Sequence, residues 1–452
     1  MLLFLTACGN DWLDMEPNTS VESGKAITDL QDVEFAVNGL YSTMQSSNYY
    51  GAQMTYYGDL TGDDMRSFKS TSSGANFYHF KYNKENATTS FWSVYYSLAK
   101  NAAIALKSME KLKITPGKTF ITAAGVKTTE DEFYNSIRGQ ILTIRGLVLF
   151  DMTRLYGYPY MKDQGASWGV PIVTNTVDKD YKPLRNTVKE CYRAILNDLE
   201  EAEVLINEKP RNGRFNKWSL FTLLSRIHLY MGNNEKALDY AEKGIQGAEV
   251  HGFGLLENDE YATAWSKPFN KEFLFEVINL TTDSPGKSSI GYLHRKYIMI
   301  ATDKFYKQSL AKTDDVRKQI VNTDNSSRPY CMKFPEQDGK SYEDCNVVVF
   351  RMSELYLNAA EAAVKLDITD KAIKYFTPIY KRTNKEWTAM SITLDDVLEQ
   401  RRIEFWGEGH RFFDLIRNEK TVERVDYLES VALDARTFDW DFYRIVLPVP
   451  RS

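Results

Sequence analysis

The sequence is short of the residues and runs on which most catalytic and membrane-spanning chains are built. Four cysteines and five histidines stand in 452 residues. The histidines, at 79, 228, 251, 294 and 410, form no cluster along the chain. No G-x-S-x-G, H-E-x-x-H or C-x-x-C occurs, which removes the nucleophile elbow, the helical zinc-protease site and the redox dithiol. Gly286-Lys287-Ser288 ends like a phosphate loop, but Thr281 stands where its first glycine belongs and no clean helix pattern follows. There is no long Lys/Arg block, and the net charge is -5, so no nucleic-acid partner held through phosphates is expected. No stretch beyond residue 10 is long and apolar enough to cross a bilayer as a helix.

What is abundant is aromatic: 28 Tyr, 24 Phe and 8 Trp, 13% of the chain. Such residues serve a large core or flat apolar binding faces. Hydrophobics at 43% and charged residues at 26% are those of a soluble globular protein. The length suits two or three domains, or one helical repeat array.

The chain opens MLLFLTACGN. Leu5-Thr6-Ala7-Cys8 resembles a bacterial lipobox, in which cleavage before the cysteine is followed by lipidation of its thiol. Cys8 is therefore the expected lipid attachment site, residues 1–20 a lipobox remnant and tether, and several acyl chains would hold a domain on a bilayer. The start is too short for a spanning helix and lacks a positively charged n-region. Cys191 lies on an apolar helical face and is expected in the core. Cys331 and Cys345 flank a Pro/Gly/Asp loop; an oxidising envelope would allow a disulfide between them, and two free thiols are the other reading. A zinc site needs more ligands than these.

Helical periodicity dominates. Ile137, Ile141, Ile144, Val148, Met152 and Leu155 make one apolar stripe, ended by Gly157 and Pro159. Val188, Tyr192, Ile195, Leu199, Ala202 and Ile206 make another. Asn216 can cap a helix carrying Phe221, Leu224, Ile227 and Met231; Gly232-Asn233-Asn234 turns the chain into a second with Ala237, Ala241, Ile245 and Ala248. Two short amphipathic helices with a tight turn and small residues at the crossing describe a tetratricopeptide-like pair. Met352, Tyr356, Ala359 and Ala363, then Ile373, Phe376 and Tyr380, repeat the layout. Segments 29–46 and 88–113 can form one more. The fold class expected is mainly α, with scaffold segments 28–48, 87–248 and 348–420. Insertions at 49–86 and 250–347 carry short β runs such as Phe273–Val277 and Val347–Phe350, and long insertions on a scaffold are where function concentrates.

Asp63-Asp64 is the one obvious acid pair, yet adjacent residues rarely face a substrate from opposite sides; a loop end, a polar contact or an ion site are the plainer readings. The run FKSTSSGANFYHFKYNKEN offers Phe68, Asn76, Phe77, Tyr78 and Tyr82 as ligand contacts, because sugar C–H faces stack on aromatic planes while amides bond hydroxyls. The competing reading is packing, with Tyr78, Phe80 and Tyr82 on one face of a strand. Trp265, Tyr292 and Tyr297 are weaker ligand candidates. Trp92, Tyr95 and Tyr96 belong to a helix-like run and are expected in the core.

RRIEFWGEGHRFFDLIR, residues 401–417, resembles the C-terminal signature of the SusD/RagB family: Arg401, Arg402, Glu404, Glu408, Gly409, Arg411, Asp414, Leu415 and Arg417 fall in place, with Phe405 and Gly407 as departures. Asp11-Trp12-Leu13-Asp14 after the lipobox, the Arg154–Pro159 turn, GVPIV at 169–173, RMSELYLNAAEA at 351–362 and LPVP at 447–450 are similar to that family too. The resemblance implies one SusD-like domain over 21–452, built of about four tetratricopeptide-like pairs in a right-handed scaffold with an irregular loop-rich half, and lipid-anchored on the outer face of a Gram-negative outer membrane. It also implies a SusC-like TonB-dependent transporter as partner, a glycan captured and handed over, and no catalysis, cofactor or metal. An oligopeptide ligand on the same fold, as in the RagB branch, and an envelope hydrolase are the alternatives. Physically, Arg401, Arg402, Glu404, Arg411 and Asp414 read as a structural motif, since buried ion pairs would fix the angle of two helices across a Gly-x-Gly break.

Overall fold

In a computed structural model the described residues are 27–450, apart from 84–88, 174–182, 210–211, 297, 313, 325–326 and 426. Cys8, the 1–20 tether and Tyr297 lie outside them. Eight helices form four packed pairs in chain order: α1 (Leu30–Met44) with α2 (Thr89–Met109), α3 (Glu130–Tyr156) with α4 (Val188–Leu205), α5 (Lys217–Tyr230) with α6 (Asn234–Val250), and α7 (Met352–Lys365) with α8 (Thr369–Tyr380). Each pair packs on the next, α2 against α3 and α6 against α7. Two further helices close the array, α9 (Leu394–Glu404) and α10 (Arg411–Arg417). The protein is thus mainly α, and no helix among the described residues is long and apolar enough to cross a membrane.

Local chemistry accounts for the helix starts. Asp29 caps α1 through the amides of Gln31 and Asp32, and Thr187 with Glu190 forms a reciprocal capping box on α4. Asn216 accepts from the amides of Trp218 and Ser219 at 3.0 Å, while its amide donates to the Leu274 carbonyl at 2.9 Å. That cap ties the scaffold to the second insertion; such a cap is worth about 1 kcal/mol. Small residues let the pairs close. A Cβ at Gly139 of α3 would lie 2.8 Å from the Ile206 nitrogen, and Ala237, Ala241, Ala359 and Ala363 are all buried at crossings.

The insertions are irregular but not separate. Phe273–Val277 and Val347–Arg351, the two β runs legible in the sequence, pair antiparallel with each other. Met65–Ser67 of the first insertion pairs antiparallel with Met299–Ala301 of the second. One contiguous hydrophobic core runs from Leu30 to Leu447 through both halves. Cys331 and Cys345 are buried free thiols, so the disulfide is not formed. Each is enclosed by a different neighbour: Cys331 lies by the Trp406 carbonyl and Gly407, Cys345 by Gly291. Burial pushes both thiols up to about 12, which keeps them protonated and inert.

Candidate functional site

The aromatic run at 77–82 turns inward rather than out. Ala75–Tyr78 is a short helix, not part of a strand, and Phe80 follows with φ of 50°. The chain therefore folds back on itself, and its rings enter the core from successive directions instead of lining one face. Phe77 is 4% exposed and Tyr78 1%; Phe77 meets Tyr57 edge-on at 5.1 Å and Phe91 at 6.2 Å. Trp265 is 2% exposed, against Phe273 at 5.2 Å. Phe77, Tyr78 and Trp265 are thus core residues and cannot stack on a ligand: aromatic density here marked a core. Phe68 is half-buried beneath the Arg328 guanidinium, 4.1 Å from the ring centroid. Asn76 is exposed, and Tyr292 is half-buried on the short helix Ile290–Arg295. Tyr82 is buried but borders the groove described below. Tyr95 is buried, while Trp92 and Tyr96 are half-buried.

The 401–417 motif lies inside, against carboxylates. Arg401 donates to Asp414 at 2.8 Å and to Asn358 at 2.8 Å, and Arg417 bridges Asp414 and Glu361. Glu404 is reached by Arg351, Arg382 and Arg317. Gly407 and Gly409, at φ of 85° and 81°, make the break between α9 and α10. The acid pair is also spoken for: Arg402 grips Asp64 with its Nε at 2.8 Å, and Arg411 holds Asp63 through Nε at 2.7 Å and Nη2 at 3.0 Å. For Asp63, burial raises the carboxyl and Arg411 more than reverses it; for Asp64, burial wins. A pair so held is a structural clamp between the first insertion and the motif. Among the described residues no group of His, Cys, Asp and Glu could hold a metal ion.

One open groove, about 500 Å³, has the composition a site needs. Three regions of the sequence, 82–83, 156–185 and 443–449, build it. The end of α3 and the turn after it bring Tyr156 and Tyr158; the loop before α4 brings Ser167 and Trp168; residues 82 and 83 add Tyr82 and Asn83; the C-terminal segment adds Tyr443, Arg444 and residues 446–449. Arg185 braces the corner, donating to the carbonyls of Gly169 at 2.6 Å, Trp168 at 2.8 Å and Tyr156 at 2.9 Å. Trp168 also bridges Thr187 in antiparallel fashion. The C-terminal segment is pinned by the Leu447 amide on the Leu155 carbonyl at 2.7 Å and by the Tyr82 hydroxyl on the Arg444 carbonyl at 2.8 Å.

In this groove Trp168 is 62% exposed and Tyr443 58%. Trp168 is the one tryptophan among the described residues left in the open. A groove with two exposed aromatic rings, guanidiniums, an amide and a hydroxyl can stack flat C–H faces and bond hydroxyl groups. Burial lowers the Arg185 guanidinium from its ordinary value and raises the Tyr156 hydroxyl. Neither Trp168 nor Tyr443 was singled out by sequence reasoning. The available signal was an aromatic inside a Gly- and polar-rich stretch, GASWG, that belongs to no helical stripe.

The chain matches known proteins along nearly its whole length. A family described as the SusD family matches residues 282–450, and one described as "starch-binding associating with outer membrane" matches residues 11–229. The solved structure of a proposed sugar binding protein of Bacteroides vulgatus is 43% identical, with 94% of this chain and 96% of that one covered and a TM-score of 0.88. A SusD superfamily protein of the same organism is 36% identical over the same shares, with a TM-score of 0.85. The SusD-like protein P38 of Formosa agariphila is 21% identical, covering 93% of this chain and 90% of its own length.

Proposed function

This chain belongs to the SusD/RagB family, and on that premise we propose that it is a cell-surface lipoprotein that binds an oligosaccharide and delivers it to a SusC-like TonB-dependent transporter. Cys8 is the proposed lipid attachment point, and the outer membrane the proposed location, in keeping with the family description over residues 11–229. The observation that carries the glycan reading is the groove at the C-terminal segment, where the exposed rings of Trp168 and Tyr443 share the lining with polar groups. The likeness to the proposed sugar binding protein supports it. Binding without reaction is the role assigned: the acid pair that could suggest hydrolysis is held by Arg402 and Arg411.

The test is titration calorimetry of the lipid-free protein against an oligosaccharide panel and a peptide mixture, with Trp168→Ala and Tyr443→Ala beside the parent chain. Each exposed ring is expected to contribute roughly 0.5–1.5 kcal/mol, so the double variant binds about tenfold or more weakly with an unchanged melting temperature. Heats from peptides alone, with none from any sugar, would replace the glycan reading by oligopeptide capture.

A further inference from the structure

The charge of the groove narrows its ligand, given the glycan reading above. Many guanidiniums of the buried scaffold are met by carboxylates, such as Arg145 by Asp198 at 2.6 Å, Arg226 by Glu354 at 2.6 Å and Arg351 by Glu272 at 2.7 Å. The two that line the groove are not. The three hydrogen bonds of Arg185 all go to backbone carbonyls, which satisfy its donors but leave its charge uncompensated. Arg444 lies with its guanidinium carbon 4.9 Å from the Tyr443 ring centroid and has no carboxylate in ion-pair reach among the described residues. Among the described residues no Asp or Glu lines the groove. Among the described residues, three acids close in sequence to the lining are committed elsewhere: Asp163 to the Ser167 amide at 3.0 Å, Glu190 to the Thr187 amide at 2.8 Å and Asp441 to Lys162 at 2.8 Å. Two guanidinium charges beside two exposed aromatic rings, Trp168 and Tyr443, call for a ligand with both flat sugar faces and a negative group.

We propose that the groove selects an anionic oligosaccharide, carrying uronate carboxylates or sulfate esters, with its rings on Trp168 and Tyr443 and its anionic group on Arg444 and Arg185. A guanidinium fork matches the planar oxygens of either group. The experiment titrates the lipid-free full chain with an oligogalacturonate, a sulfated galacto-oligosaccharide, neutral malto- and xylo-oligosaccharides, and polyglutamate. At least one anionic sugar is expected to bind about tenfold more tightly than any neutral one. That advantage should fall several-fold when salt is raised to about 0.5 M and disappear in Arg444→Gln, whose melting temperature stays that of the parent. Carboxylate against sulfate is read from which anionic arm responds. Neutral sugars binding as tightly, polyglutamate binding as tightly, or an Arg444→Gln variant that keeps the preference would overturn the proposal while leaving glycan capture standing. Silence from every sugar would remove the glycan reading itself, and this inference with it.

Discussion

Replacing Glu404 by Gln should cost the protein about 3–5 kcal/mol of stability without touching the groove. The side chain is fully buried in a cluster of four cations, Arg317, Lys333, Arg351 and Arg382, and four carboxylates, Glu272, Asp315, Glu404 and Glu408. Burial alone would raise the Glu404 carboxyl; the guanidiniums of Arg382, Arg351 and Arg317 more than reverse it and hold the group well below the usual carboxylate range. Glutamine keeps the shape but removes one charge of a balanced set, and turns an amide NH2 toward arginine donors. One buried cation is then left without an answer, the situation that costs most in protein interiors. With about 2.1 cal/mol/K of unfolding entropy per residue, such a loss lowers the melting temperature of a chain this long by roughly 3–5 °C. Urea unfolding followed by tryptophan fluorescence, with calorimetry alongside, measures both quantities. The companion variant Glu404→Gln/Arg317→Gln restores the balance and should lose less than the two single changes together. A Glu404→Gln protein within about 0.5 kcal/mol of the parent would refute the view that this motif is held by charge pairing.

Four other substitutions test separate parts of the account. Asp414→Ala removes the partner of Arg401 and Arg417; a loss of about 3–5 kcal/mol with unchanged glycan affinity is expected from melting curves and calorimetry, and lost binding at unchanged stability would reassign the motif to the ligand. Burial pushes Glu276 up to about 7 from an ordinary 4.5. Between those values the folded state binds more protons than the unfolded one, so this group's contribution falls as pH rises. Glu276→Gln, still able to accept from the Phe269 amide, should match the parent near pH 4 and exceed it near pH 8 by on the order of 2–4 kcal/mol in urea titrations at the two pH values. Gly58→Ala would set a Cβ 1.9 Å from the Gly409 carbonyl oxygen, where backbone meets backbone; a loss of about 3 kcal/mol or more, read as poor soluble yield or early melting, is expected, whereas Gly117→Ala meets nothing within 4 Å but carries φ of 75° and should cost about 1 kcal/mol.

Much of the scaffold was legible because its signals are local. The stripe from Ile137 to Leu155 and the stop at Gly157 produce α3, and the stretch after Thr187 produces α4. The alanine positions that promised close crossings are buried where α5 to α7 meet. The ligand candidates were less legible. Tyr78, Phe80 and Tyr82 alternate as strand residues would, but a helical turn and one left-handed residue redirect all three into the core. Trp168 and Tyr443 stood in stretches without periodicity, where sequence gives no hint of burial or exposure.

By itself the sequence determined the helices, their caps and turns, and the set of buried charges that would have to find partners, since these follow from periodicity and from the cost of an unpaired charge. Only the tertiary structure decided who those partners are. Asp63 and Asp64 meet Arg411 and Arg402 from more than 330 residues away, and the groove takes its walls from three distant regions of the chain. Short-range patterns set local backbone geometry, whereas which aromatic plane stays in water depends on how much surface the rest of the chain has left uncovered.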